Sequence, residues 1–96
     1  MSLKEFFLEP IEIPIDGVLD LHTFNPKEVK PLLYDYIEAC CEKEIFSLRI
    51  IHGKGTGVLK KRVQGILESH PDVVSFSDAS IQAGGWGATL VELKKV

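Results

Sequence analysis

The segment Ser47-Leu48-Arg49-Ile50-Ile51 has β-branched character and stops at His52-Gly53-Lys54-Gly55-Thr56-Gly57, after which the chain adopts helical spacing. Three glycines in five residues let a backbone turn tightly and approach a ligand closely. An earlier stretch repeats the plan: Val18 to His22 alternates as a strand and then gives way to a helix-start signal at Asn25. Helical crossovers make such strands parallel and right-handed. Their carboxyl ends then share one sheet edge, where open α/β sheets usually hold ligands.

The rest of the chain fills in a β-α-β-α-β-β order. Asn25 suits the N-cap, Pro26 the first helical position and Glu28 the partner position of a capping box. Val29, Leu32, Leu33, Tyr36, Ile37 and Cys40 follow at helical spacing. Pro31 should kink the second turn, or else mark where the regular helix begins. The second helix is predicted to be capped by Thr56, with Leu59, Val63, Ile66 and Leu67 inward, Val58 at the margin and Gly65 a weak point. It ends at His70-Pro71. Val73 to Phe76 reads as the third strand, Asp78 to Gly87 as a loop, and Ala88 to Leu93 as an antiparallel fourth strand. The fold class is therefore α/β, a two-layer sandwich with a four-stranded mixed sheet and its helices on one face. Residues 1–16 form a leading arm, held extended by Pro10 and Pro14 and apolar enough to dock on its own domain or join two copies as a homodimer.

Length and composition narrow the function classes. Ninety-six residues make one domain. No apolar run reaches the ~20 residues of a membrane span, and the N-terminus lacks a signal-peptide layout. Cys40 and Cys41 are adjacent and cannot form an ordinary bridge with each other, which points to a reduced, cytoplasmic protein. The net charge is −3, yet residues 45–67 carry Arg49, Lys54, Lys60, Lys61 and Arg62 with no acid. This cationic block surrounds the glycine loop and suits a polyanion.

Two motifs carry chemistry. Asp20 and His22 are two apart on a strand, so they point the same way, with Cα atoms roughly 6–7 Å apart. An imidazole can move a proton at a phosphate, and the carboxylate can hold the ring or a metal. The loop of Gly53, Lys54, Gly55, Thr56 and Gly57 presents free N–H groups ahead of a helix N-terminus, and His52 flanks it. It lacks the GxxxxGK[ST] spacing of a P-loop and the GxGxxG spacing of a dinucleotide site. In Gly84-Gly85-Trp86-Gly87, Trp86 could stack on an unpaired base or fold back over the sheet edge.

These residues, in this order, resemble the small MutS-related (Smr) domain family. The segments are Leu19-Asp20-Leu21-His22, the run from Ile50 to Leu59, residues 69–73 and residues 84–93. The resemblance implies a fold similar to the C-terminal domain of translation initiation factor three. It also implies nucleic-acid binding and, in several members, nicking of DNA or cleavage of RNA, including messenger RNA on stalled ribosomes. It carries catalytic roles onto Asp20, His22 and His52. Thr23 stands where many members have glycine.

The resulting expectation is an endonuclease acting on DNA or RNA. His22 serves as base or acid and Asp20 orients it, while Lys54 and the loop amides hold phosphate oxygens, aided by Lys60, Lys61, Arg62 and Trp86. An RNA substrate can supply its own 2′-hydroxyl and need no cofactor. A DNA substrate requires water, with a divalent cation such as Mg or Mn. The alternatives are a module that binds nucleic acid or the ribosome without cutting, and a protein adaptor using the arm and Trp86.

Overall fold

Strand β2 (Ser47–Ile51) is flanked on one side by a parallel neighbour and on the other by an antiparallel one. The computed structural model describes residues 13–83 and 85–95. Strand β1 (Val18–Asp20) runs parallel to β2 with Asp20 opposite Ile51. Strand β4 (Ala88–Leu93) inserts antiparallel between β2 and β3 (Val73–Asp78), so the sheet order is β1-β2-β4-β3. β1, β2 and β3 point the same way, as the crossovers require, but β4 separates the last two. Two right-handed crossovers advancing across the sheet put both helices, α1 (Pro26–Glu42) and α2 (Val58–Ser69), on one face.

That face holds the core. Leu19, Leu48, Ile50, Val91 and Leu93 point into it from the sheet, and Val63, Ile66 and Leu67 from α2. The six apolar positions expected of α1, Val29 to Cys40, are all fully buried. Helix α1 starts as its sequence predicts: Lys27 N donates to Asn25 Oδ1 at 2.9 Å, and Asn25 N donates to Glu28 Oε2 at 3.3 Å. Regular helix begins at Pro26 and runs through Pro31 to Glu42, so Pro31 does not mark its start. Proline at this sixth helical position removes the amide that would donate to Lys27 O, so the helix continues at the cost of one intrahelical hydrogen bond.

Three local expectations are corrected. β1 ends at Asp20: Leu21 N still donates to Ile51 O, but Phe24 N then donates to Leu21 O and turns the chain, placing His22 in a turn. β3 extends past Phe76 to Asp78 because Ser77 and Asp78 pair with Leu90 and Thr89. A register shift between Val73 and Ser75 leaves Val74 63% exposed, a bulge that blunts this edge strand. The expected loop from Asp78 to Gly87 contains two short 3₁₀ turns, Ile81–Ala83 and Gly85–Gly87. Of the expected arm, residues 1–12 lie outside the described residues, while Ile13 and Ile15 pack half-buried against the core.

Helix α1 stops without a glycine. Glu44 takes a left-handed φ of 60°, Glu44 N donates to Cys41 O at 3.1 Å, and Ile45 N donates to Cys40 O at 2.8 Å. This is a Schellman closure with the wrong residue at its left-handed position. Glu44→Gly should relieve that strain. Gly65 lies inside α2, and a Cβ added there meets nothing within 4 Å. Gly65→Ala should therefore stabilise. Urea denaturation should show a gain of about 1 kcal/mol for each change.

Candidate phosphodiester site at the β1–β2 rim

Because Asp20 sits opposite Ile51, the chain leaving β1 and the chain leaving β2 emerge side by side. The two motifs meet there: a Cβ added to Gly53 would lie 3.4 Å from His22 Cβ. Between them opens a cleft of about 410 Å³, lined by His22, Phe24 and the glycine loop.

His22 and Asp20 form a tight pair. The ring Nδ1 lies 2.5 Å from Asp20 Oδ1, and His22 N donates to the same oxygen at 3.0 Å. A carboxylate only accepts, so Nδ1 carries the proton and Nε2 is left with its lone pair. The His22 side chain is 56% exposed, so Nε2 can take a proton from a bound group. Partial burial pushes the Asp20 carboxyl up, but the hydrogen bonds from the ring and amide of His22, with the ring's charge when it is protonated, outweigh it and hold it below its ordinary range. Thr23 takes no left-handed conformation, so the turn after the motif does not require glycine at this position.

The glycine loop is held from behind. His52 N and Gly53 N both donate to Gly87 O, at 3.0 and 2.9 Å. The backbones press so close that a Cβ on Gly87 would come within 3.1 Å of Lys54 Cγ. The N-cap of α2 is Gly57, at φ 87°, and not Thr56; it offers no side-chain hydrogen bond to the helix. Thr56, Gly55 and Lys54 are exposed at the mouth of the cleft. An uncapped first turn beside a lysine is an anion site in its charge and its donors.

His52 sits elsewhere. It is 4% exposed, with Nε2 2.8 Å from Thr89 Oγ1 and Nδ1 3.2 Å from Gly53 O. Gly53 O can only accept, so Nδ1 is protonated and Nε2 takes the Thr89 hydroxyl proton; Thr89 in turn accepts from Gln64 Nε2 at 3.2 Å. Both ring nitrogens are therefore committed to holding the loop. The network continues from Gln64 to Asp78 and on to Lys60, whose Nζ lies 3.0 Å from Asp78 Oδ1 and 4.2 Å from the centre of the Trp86 ring. Lys60 thus takes the buried place expected of Leu59, which is only half-buried, and its charge is spent on Asp78. Trp86 folds over Gly57 and Lys60, and 46% of it remains exposed. Lys61 and Arg62 are exposed on α2.

The rim thus unites Asp20, His22, Lys54 and the loop glycines, and sends His52 and Lys60 inward. Thr89, Gln64, Asp78 and Gly87 went unread as part of the site. Thr89 carried a signal: it shares strand parity with Val91 and Leu93, so a hydroxyl faces the core and needs a partner. Among the described residues no group of three or more His, Cys, Asp or Glu side chains could hold a metal ion. Asp20 Oδ1 is also taken by the ring and amide of His22.

Fold and rim together define a small α/β domain that gathers an exposed imidazole, a lysine and a glycine loop at one sheet edge. The family model for the Smr domain matches residues 19–94, and the chain belongs to that family. The crystal structure of the Smr domain of Thermus thermophilus MutS2 superposes with a TM-score of 0.78 at 32% identity, covering 82% of this chain and 99% of that one. YdaL, a stand-alone small MutS-related protein from Escherichia coli, superposes with a TM-score of 0.79 at 26% identity, over 88% of this chain and 69% of that one. Endonuclease MutS2 of Helicobacter pylori is 41% identical over 75 residues, 78% of this chain but 10% of that protein. Ribosome rescue factor SmrB of Photobacterium profundum is 37% identical over 76 residues, 79% of this chain and 43% of that protein. The chain thus spans less than half the length of these two relatives.

Burial lowers the affinity of both His52 and His70 for a proton; each is neutral and hydrogen-bonded through its ring. The unfolded chain takes up those protons as pH falls below about 6.5, and the folded chain resists. Stability should hold above that pH and decline between it and pH 5. Thermal melts at pH 7.5 and 5 check this: the transition should drop at acid pH, and drop less in His70→Asn.

Proposed function

We propose that this chain is a nucleic-acid-binding Smr domain that cleaves phosphodiester bonds, with single-stranded RNA the substrate its residues favour. The observation that carries the reading is the His22–Asp20 pair, with Nδ1 held by the carboxylate and the exposed ring lining the cleft with Lys54 and the glycine loop. A phosphate seated on the loop amides would place a neighbouring 2′-hydroxyl near that nitrogen. His22 takes the hydroxyl proton, the oxygen attacks phosphorus, and the 5′-oxygen leaves with a proton from the open, wet cleft. Lys54 and the N–H groups offset charge gathering on the non-bridging oxygens. A substrate that supplies its own nucleophile fits a rim with one available imidazole and, among the described residues, no cluster of three or more metal donors. His52 is then a positioning residue: it fixes the loop through Thr89 and Gly53 and touches no substrate. The names of the relatives, an endonuclease and a ribosome rescue factor, support nucleic acid, free or on the ribosome, as the partner.

One observation favours binding without cutting: His52 is committed, so no second imidazole is available to protonate a leaving group. A cleavage assay separates the two readings. Labelled single-stranded RNA should be cut with or without EDTA, and 2′-deoxy substitution at the scissile nucleotide should block it. His22→Ala should reduce the rate about 10²–10⁴-fold. Asp20→Asn, which loses the tautomer lock but not the shape, should fall in the same range while retaining binding. Equal cutting by His22→Ala would overturn the catalytic reading and leave the binding module.

Self-association through the arm over residues 1–16 belongs to the same proposal. Sedimentation equilibrium of the full chain should give a dimer, and a monomer at all concentrations would count against it.

A further inference from the structure

A second depression lies along the seam between α1 and α2, with a volume of about 580 Å³. Its origin is local. On α2, Val58, Lys61, Arg62, Gly65 and Ser69 recur at helical spacing and line one stripe; on α1, Pro26 and Lys30 face it. Gly65 has no side chain to fill the gap, and a Cβ there would touch nothing within 4 Å. The lining includes three cations, Lys30, Lys61 and Arg62, and no acid. Pro26 and Val58 line both this groove and the His22 cleft, so the two run into each other at the uncapped start of α2.

We infer that the groove is the continuation of the substrate path: a nucleic-acid strand seated in the cleft runs on along the α1–α2 seam, its flanking phosphates neutralised by Lys30, Lys61 and Arg62. The inference rests on the proposed function and extends it from one phosphate to a strand. Helix α2 spans 12 residues, about 18 Å, which leaves room for several nucleotides beyond the cleft. The occupant follows from charge: three cations without an acid, continuous with a phosphate-binding rim, complement a single-stranded backbone and offer no base-reading surface. Lys30 comes from the acidic first half of the chain, so the cationic block in the sequence did not reveal it. The fold brings it across from α1.

Fluorescence anisotropy with 2′-O-methyl RNA oligonucleotides of about 4 and about 12 nucleotides tests this, since these cannot supply the attacking hydroxyl and survive intact. Wild-type protein should bind the longer strand at least about tenfold more tightly, with a steeper salt dependence. Lys30→Gln/Arg62→Gln should bind the short strand like wild type and lose the gain on the long one. Its salt slope should fall by about 0.7 for each contact removed. Gly65→Glu, which places an acid on the groove floor, should do the same, with circular dichroism verifying the fold. Lys54→Gln should weaken both lengths. Equal loss on short and long strands in the double variant, or no loss, would overturn the groove while leaving the cleft intact. Failure of wild type to bind either length, or indifference to Lys54→Gln, would overturn the proposed function and the groove with it.

Discussion

One carbonyl ties this molecule together. Gly87 O accepts from His52 N and Gly53 N at the point where β2 ends and β4 begins, joining the glycine loop to the strand inserted beside it. A free loop of three glycines would sample many conformations and lose much entropy on gripping a phosphate. Here the start of the loop is fixed before any ligand arrives. The close approach favours glycine at position 87, where a Cβ would lie 3.1 Å from Lys54 Cγ and touch the Gly53 backbone at 3.4 Å.

Behind the clamp a chain of polar contacts runs from the buried His52–Thr89 pair outward through Gln64 to the exposed Asp78 and to Lys60. It gives the inward-facing hydroxyl and imidazole partners and turns them into a scaffold of defined shape. Trp86 closes the far side, stacked over Lys60 and tight against Gly57 at the start of α2. The two histidines of the site thus differ by environment. His22 is exposed and oriented by a carboxylate; His52 is dry, neutral and spent on geometry.

Much of this was legible in the chain. The helical spacing from Val29 to Cys40 and the capping pattern at Asn25 are local signals, and the helix realises both. The strand-loop-helix passages fix strand direction through crossover handedness, so the meeting of His22 with the glycine loop followed from order alone. What escaped depends on long-range placement. Nothing near Val73 says that β4 slots between β2 and β3, and that slot decides the partners of Thr89, Asp78 and Gly87. Lys60 looked like one more cation on a solvated face because its partners, Asp78 and Trp86, lie far along the chain. The stop of α1 at Glu44 was invisible for the opposite reason: the geometry that favours glycine is held by a glutamate.

The central claim is the division of labour between the two imidazoles, and histidine ring NMR reads it directly. On addition of a 2′-O-methyl RNA strand, which cannot supply the attacking hydroxyl, the account predicts that the His22 Nε2 resonance moves while the His52 ring keeps its neutral, Nδ1-protonated pattern. A shift at His52 with His22 unmoved would contradict it.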